Sequence, residues 1–186
     1  MATTKHTLVA LVADRPGVLN RMASMFRRRG FNIESIAVGH SEVPNLSRMT
    51  IVVDGTTTSV EQVRKQLDKV IDVVKVSDLS GDDIVTRELA LIKVKATSTS
   101  RSEIIEIVDI FRASIVDVAS ESVTVEVTGD EEKINSLLNL LRGFGIKEVA
   151  RTGRIAMARG EPGPLPVEEK PAKAKRQKQE GGKYHG

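Results

Sequence analysis

The sequence predicts an α+β fold of two tandem βαββαβ units followed by a C-terminal tail. Three observations predict it. Short apolar strands and amphipathic helices follow one another twice in the same order, the mark of a duplicated plan. Apolar residues form 40% of the chain and aromatics 3%, so buried area must come from Val, Ile and Leu, which suits thin sheets backed by helices. The length of 186 residues leaves room for two small domains.

In the first unit, alternating apolar residues from Thr7 run into the turn Asp14-Arg15-Pro16-Gly17. That turn opens an amphipathic helix ending at Gly30, and Asn32-Ile33 begins the next strand. A further strand reaches Val53, a second helix covers Thr58 to Leu67, and Val73 to Val76 closes the unit. The second unit reads as strand Leu89 to Val94, helix Ser102 to Phe111, strands Ile115 to Val118 and Val123 to Val127, helix Ile134 to Leu141 and a last strand Glu148 to Ile155. The units occupy residues 5–80 and 86–158.

Local echoes accompany the duplication. Phe26-Arg27 matches Phe111-Arg112, and Thr50 to Gly55 matches Thr124 to Gly129. Phe26 and Thr50 are 24 residues apart, whereas Phe111 and Thr124 are 13 apart, so 11 extra residues are expected around Gly39 to Ser47. They predict a longer hairpin reaching beyond the sheet. Ser59 to Gln62 and Ser100 to Glu103 have capping-box spacing, Asp130 suits a helix cap, and Gly30 and Gly143 are positioned to end helices. Val60, Val63, Leu67 and Val70 form a buried stripe, as do Ile104, Ile107, Val108 and Phe111. Leu11 and Val52 fall on the sheet face opposite the helices, and a partner subunit is expected to cover it.

Charge and composition narrow the function. Residues 159–186 hold seven basic and four acidic groups; removing them from the totals of 28 and 25 leaves 21 of each, so the folded body is formally neutral. A nucleic-acid-binding domain carries its positive patch on the fold. The tail, rich in Pro, Gly, Lys and Glu, cannot bury enough surface to offset its ordering entropy and is expected to be disordered. The chain has no cysteine, which excludes disulfides and thiolate metal sites and fits a reducing, cytoplasmic setting. The N-terminal apolar stretch is interrupted by Asp14-Arg15, unlike a signal peptide.

The turn Asp14 to Gly17 has two readings on its residues alone. In one, Asp14 caps the helix, Pro16 fixes its first turn and Gly17 permits a tight approach. In the other, the N–H groups of Gly17, Val18 and Leu19 receive a small carboxylate at the helix N-terminus, and Asp14 accepts from its ammonium group. The second unit has Thr97 to Ser100 there, so binding is expected in the first unit alone. Arg27-Arg28-Arg29 reads as cations stabilising a helix C-terminus, with a phosphate or protein contact as the other choice. Arg48 sits where the hairpin enters its strand. His6 and His40 lack companions at ligand spacing and read as surface residues. Ser59, Ser100 and Ser102 have no nearby base, so no nucleophile emerges and a stand-alone enzyme is disfavoured. An RNA-recognition module needs aromatics on its central strands, where this chain has Val9-Ala10-Leu11 and Thr50-Ile51-Val52.

With these residues in view, the chain resembles the small regulatory subunits of acetolactate (acetohydroxyacid) synthase. The resemblance rests on Asp14-Arg15-Pro16-Gly17-Val18-Leu19, Arg28 to Ser35 (RRGFNIES) and Leu46 to Ile51 (LSRMTI). It continues through Arg87-Glu88-Leu89, Ile110-Phe111-Arg112 and Val149 to Gly153. It implies an ACT domain and a second ferredoxin-like domain, assembled as a homodimer. It further implies that valine or another branched-chain amino acid binds between two ACT domains and inhibits the enzyme by feedback. The turn Asp14, Arg15, Pro16, Gly17, Val18 and Leu19 would come from one protomer, with Asn32 and Ile33 from its neighbour. The partner is then a large catalytic subunit holding thiamine diphosphate, magnesium and a flavin (FAD), which the small subunit activates, and Arg48 with its hairpin would carry the signal to it. Ala13 stands where many members have an acidic residue, which bears on ligand strength and identity. A free-standing amino-acid-sensing regulator of transcription is the alternative, and it would need a DNA-reading element.

Overall fold

The computed structural model describes residues 5–55 and 59–160. The first unit contains β1 (Lys5–Ala13), α1 (Val18–Arg29), β2 (Ile33–His40), β3 (Leu46–Asp54), α2 (Val60–Leu67) and β4 (Val73–Asp78), with sheet order β2-β3-β1-β4. The second contains β5 (Ile84–Lys95), α3 (Arg101–Ile110), β6 (Ser114–Val118), β7 (Ser122–Gly129), α4 (Glu131–Leu141) and β8 (Ile146–Arg151), with order β6-β7-β5-β8. All these strand pairs are antiparallel, giving the ferredoxin-like arrangement twice. Thr58 and the tail from residue 161 onward, both read above, lie outside the described residues.

Strand alternation builds each core. Leu8, Ala10 and Val12 of β1, with Met49, Ile51 and Val53 of β3, pack under Val18, Met22, Met25 and Phe26 of α1 and Val63 and Leu67 of α2. Ala90, Ile92 and Val94 with Val123, Val125 and Val127 do the same beneath Ile104, Val108, Ile134, Leu137 and Leu141. At roughly 1.5–3 kcal/mol per buried aliphatic side chain, these two layers dominate the stabilisation.

The register revises the expected echo. α1 closes at Gly30 (φ 67°) and α3 at Arg112 (φ 49°), so these two residues correspond and the offset between units is 82. The same offset aligns Leu8, Ala10 and Val12 with Ala90, Ile92 and Val94. Phe26 therefore corresponds to Val108, not Phe111. Leu8 pairs with Ile51 and Ala90 with Val127, an offset of 76, so the first unit has six extra residues rather than 11. They lengthen β2 and its loop, while β3 stays level with β1 to the pair Ala13 and Leu46, so only residues 41–45 project.

Helix ends differ in detail. Asp130 caps α4, its carboxylate accepting from the Lys133 N–H at 2.8 Å. Ser59 and Ser100 make no side-chain cap bond, and the Ser100 hydroxyl accepts instead from the Thr97 N–H, so the two capping boxes do not form. Gly145 (φ 99°), not Gly143, takes the positive-φ position beyond α4, because a 3-10 turn, Arg142–Phe144, extends that helix. His6 is half-buried, with Nδ1 enclosed, since it lies on the central strand β1.

The expected last strand is two strands. β8 ends at Arg151, and after Thr152 to Arg154 the chain continues as β9 (Ile155–Ala158), a fifth strand off the β6-β7-β5-β8 path. Gly153 (φ 81°) makes this turn, and a side chain there would press 3.4 Å from the Ile36 carbonyl. β9 pairs with Ile84 to Arg87, the leading end of β5. This ribbon covers the first unit's outer sheet face: Val9 packs with Leu79, Ala156 and Ile84. Leu11 and Val52 are consequently 0% and 3% exposed within one chain, so the cover expected from a partner subunit is supplied by the second unit. Alternation reveals that a face is apolar but not what lies on it.

Candidate functional site

The Asp14 to Leu19 segment connects the central strand β1 to α1 and is exposed except for Val18, which packs into the first core. Gly17, not Asp14, is the residue preceding the helix; its φ of 88° lies in the left-handed region, which other residues enter at a cost. Asp14 therefore does not cap α1, and Pro16 lies before the helix rather than in it. The first intrahelical bond runs from the Arg21 N–H to the Gly17 carbonyl at 3.0 Å. The N–H groups of Val18, Leu19 and Asn20 consequently have no intrahelical carbonyl to donate to. They sit at the positive end of the α1 dipole.

Asp14 to Leu19 line one depression of about 180 Å³, together with Val12, Val38, Ser47 and Met49. Val38 and Leu19 leave apolar surface at its rim, 47% and 54% exposed. The depression thus sets the N-terminus of α1 beside an apolar wall.

Several contacts hold this segment. The Asp14 N–H donates to the Asn45 carbonyl at 2.9 Å, and His40 Nδ1 lies 3.2 Å from Asp14 Oδ2. Both partners belong to the β2–β3 hairpin, so turn and hairpin are physically joined. Arg15 donates to Asp72 Oδ1, with Nε at 2.8 Å, and Arg21 Nε lies 2.6 Å from Asp72 Oδ2. The Arg15 guanidinium, ahead of Arg21, holds the Asp72 carboxyl below its ordinary range. Asp72 lies 57 positions from Arg15, and nothing in its local pattern marks it.

Asn32 and Ile33 are not near the turn within one chain. Ile33 opens β2 opposite Val53, whereas the turn lies at the other end of that strand, near His40 and Ser47. Asn32 is exposed, and Ile33 packs partly against its own core. Arg48 is half-buried on the outer face of β3, and its Nη2 donates to the Ala156 carbonyl of β9 at 3.0 Å. The residue expected to touch a large subunit thus bonds its own second unit. Arg27, Arg28 and Arg29 occupy the last turn of α1 and are exposed. Among the described residues no cluster of His, Cys, Asp or Glu is arranged to hold a metal.

A second set of charges joins the units. Glu131 at the start of α4 accepts from Lys5 Nζ and Arg154 Nη2, both at 2.6 Å, and Arg154 Nη1 reaches Thr7 Oγ1 at 3.3 Å. Lys5 is raised above its ordinary pKa by Glu131 and then Glu34, and Glu131 is lowered by Lys5.

This architecture is that of a tandem ferredoxin-like protein whose first unit is an ACT domain: the model of the AHAS small subunit-like ACT domain matches residues 8–75. The model described as small subunit of acetolactate synthase matches residues 87–160. A probable acetolactate synthase small subunit from Archaeoglobus fulgidus is 56% identical over 84% of this chain and 98% of its own. The acetolactate synthase small subunit of Mycobacterium bovis is 52% identical over 88% and 97%. The crystal structure of the acetolactate synthase small subunit from Thermotoga maritima superposes with a TM-score of 0.77 at 44% identity, covering 84% of this chain and 98% of that one. The chain belongs to the acetolactate synthase small-subunit family. The alternative of a free-standing transcriptional regulator gains no support from these relatives.

Proposed function

We propose that this chain is the non-catalytic, regulatory subunit of a cytoplasmic acetolactate synthase in branched-chain amino acid biosynthesis. It raises the activity of a large subunit and makes it sensitive to valine. Thiamine diphosphate, magnesium and FAD belong to that catalytic partner. The observation that carries the effector reading is the depression at Asp14 to Leu19, where Gly17 opens the α1 N-terminus beside an apolar wall.

The separation of Asn32 and Ile33 from the turn supports a site completed by a second copy. β2 is an edge strand, and its C-terminal end adjoins the turn while its N-terminal end carries Ile33. Two such edges paired antiparallel about a twofold axis would bring the Asn32-Ile33 end of one protomer beside the other's turn. Asn32 can both donate to and accept from a zwitterion, and Ile33 would adjoin its side chain. A ligand bridging protomers stabilises one mutual arrangement, and it shifts the equilibrium only by its differential affinity for the two arrangements.

The bond from Asp14 to Asn45 supports the hairpin as the route outward. Arg48 lies on that hairpin and ties it to β9, so the second unit moves with it as the large subunit is engaged. The test is reconstitution: adding this chain to a purified acetolactate synthase large subunit should raise its turnover and introduce inhibition by valine. Unchanged turnover and unchanged valine response would refute the assignment.

A further inference from the structure

Asp72 is the most enclosed charged side chain among the described residues, and the effector reading leaves it without a role. Its side chain has no exposed surface, whereas the Arg15 and Arg21 side chains it holds are 56% and 50% exposed. We propose that Asp72 is the positioning residue of the effector turn, holding Arg15 and Arg21 back so that the α1 N-terminus recognises an amino acid rather than any carboxylate. This inference rests on the assignment of Asp14 to Leu19 as the effector site.

Three observations support it. First, the anchor is fixed: the Asp72 carbonyl accepts the Ala13 N–H at 2.8 Å, and the next residue, Val73, pairs with Val12. Second, it grips both sides of Gly17, through Arg15 in the turn and Arg21 in the helix. Third, Arg21 Nη2 lies 3.7 Å from where a Cβ on Gly17 would stand, so this guanidinium sits beside the glycine that opens α1. Without Asp72, two long cationic side chains would be released beside a helix end that is already positive. They would compete for the ligand carboxylate and repel its ammonium group. Asp72 removes one unit of positive charge and fixes where the rest lies. Its own carboxyl is kept ionised by the same pairing.

The charge argument predicts a change in selectivity, which a merely structural role would not produce. L-valine and 3-methylbutanoate, the same skeleton without the amino group, are titrated calorimetrically into the full chain and into Asp72→Asn. Valine affinity is expected to fall at least tenfold, and the preference for valine over 3-methylbutanoate to fall at least fivefold. Equal weakening of both ligands, or valine affinity within twofold of the parent, would overturn the proposal. Should Asp72→Asn not fold, Arg15→Gln removes one arm at a half-exposed position. This lowers the positive charge beside the helix end, so the preference for valine over 3-methylbutanoate is expected to hold or rise, and a preference reduced at least twofold would overturn the role. Gly17→Asp separates the two ideas: if it binds valine like the parent, the effector site itself is misassigned, and the role of Asp72 falls with it. If Gly17→Asp abolishes binding while Asp72→Asn retains parental affinity and preference, the site stands and the positioning role fails.

Discussion

Replacing Gly17 by aspartate separates folding from sensing. The φ of 88° makes a non-glycine residue cost about 1–2 kcal/mol, and aspartate is among the side chains most tolerant of this region. Room is available, because the nearest atom to an added Cβ is Arg21 Nη2 at 3.7 Å, an ordinary contact. A negative charge at the α1 N-terminus returns about 0.3–1 kcal/mol. The net cost is then roughly 1 kcal/mol, a fall in Tm of about 2–4 °C for a chain of this length. For the ligand the balance is different. A second carboxylate about 4 Å from the bound one, at an effective dielectric near 20, adds roughly 4 kcal/mol of repulsion. That corresponds to a loss of affinity of about a thousandfold. Gly17→Asp should thus remain folded and still activate the large subunit, while inhibition by valine disappears. The assay is acetolactate formation by the reconstituted enzyme against valine concentration, with thermal unfolding of the small subunit alongside. Valine inhibition retained at its parental concentration range would refute the assignment of the turn.

Three further outcomes follow from the same contacts. Ile36→Lys sets a cation in the middle of the β2 edge, where two copies would oppose like charges; sedimentation should report a monomer and calorimetry the loss of valine binding. Glu131→Gln breaks the link from α4 to Lys5 and Arg154, and at this part-exposed site it should cost about 1 kcal/mol, less at high salt. Because Lys5 and then Arg154 lower the Glu131 pKa from its ordinary 4.5, the stabilisation is complete above that pH and fades as pH falls through the folded value, so the variant and parent should converge in acid unfolding curves. Asp130→Ala removes the bond to the Lys133 N–H and should destabilise the chain by about 1 kcal/mol in denaturant titration.

Much of this was legible in the amino-acid order because it depends on neighbours a few residues apart. Alternation in Leu8 to Val12 and the helical stripes of Val63, Leu67, Ile104 and Val108 define strands, helices and their buried faces, and these fall where expected. The repeated plan and the turn before α1 are local for the same reason. Finer features were misjudged where chemistry had competitors: Ser100 bonds Thr97 rather than capping α3, and Phe111 resembles Phe26 without occupying its position.

The sequence by itself determined two βαββαβ units, a glycine-opened helix N-terminus in the first, and the family to which they belong. Only the tertiary structure decided what covers the first sheet, which carboxylate holds the turn, and where Arg48 points. Those answers join residues far apart in the chain: Arg48 bonds Ala156 across 108 positions, and Lys5 bonds Glu131 across 126. Local patterns state that a surface is apolar or a side chain charged. Which distant group meets it follows from how the layers pack, because the register of β9 on β5 and the kink at Gly153 set that contact.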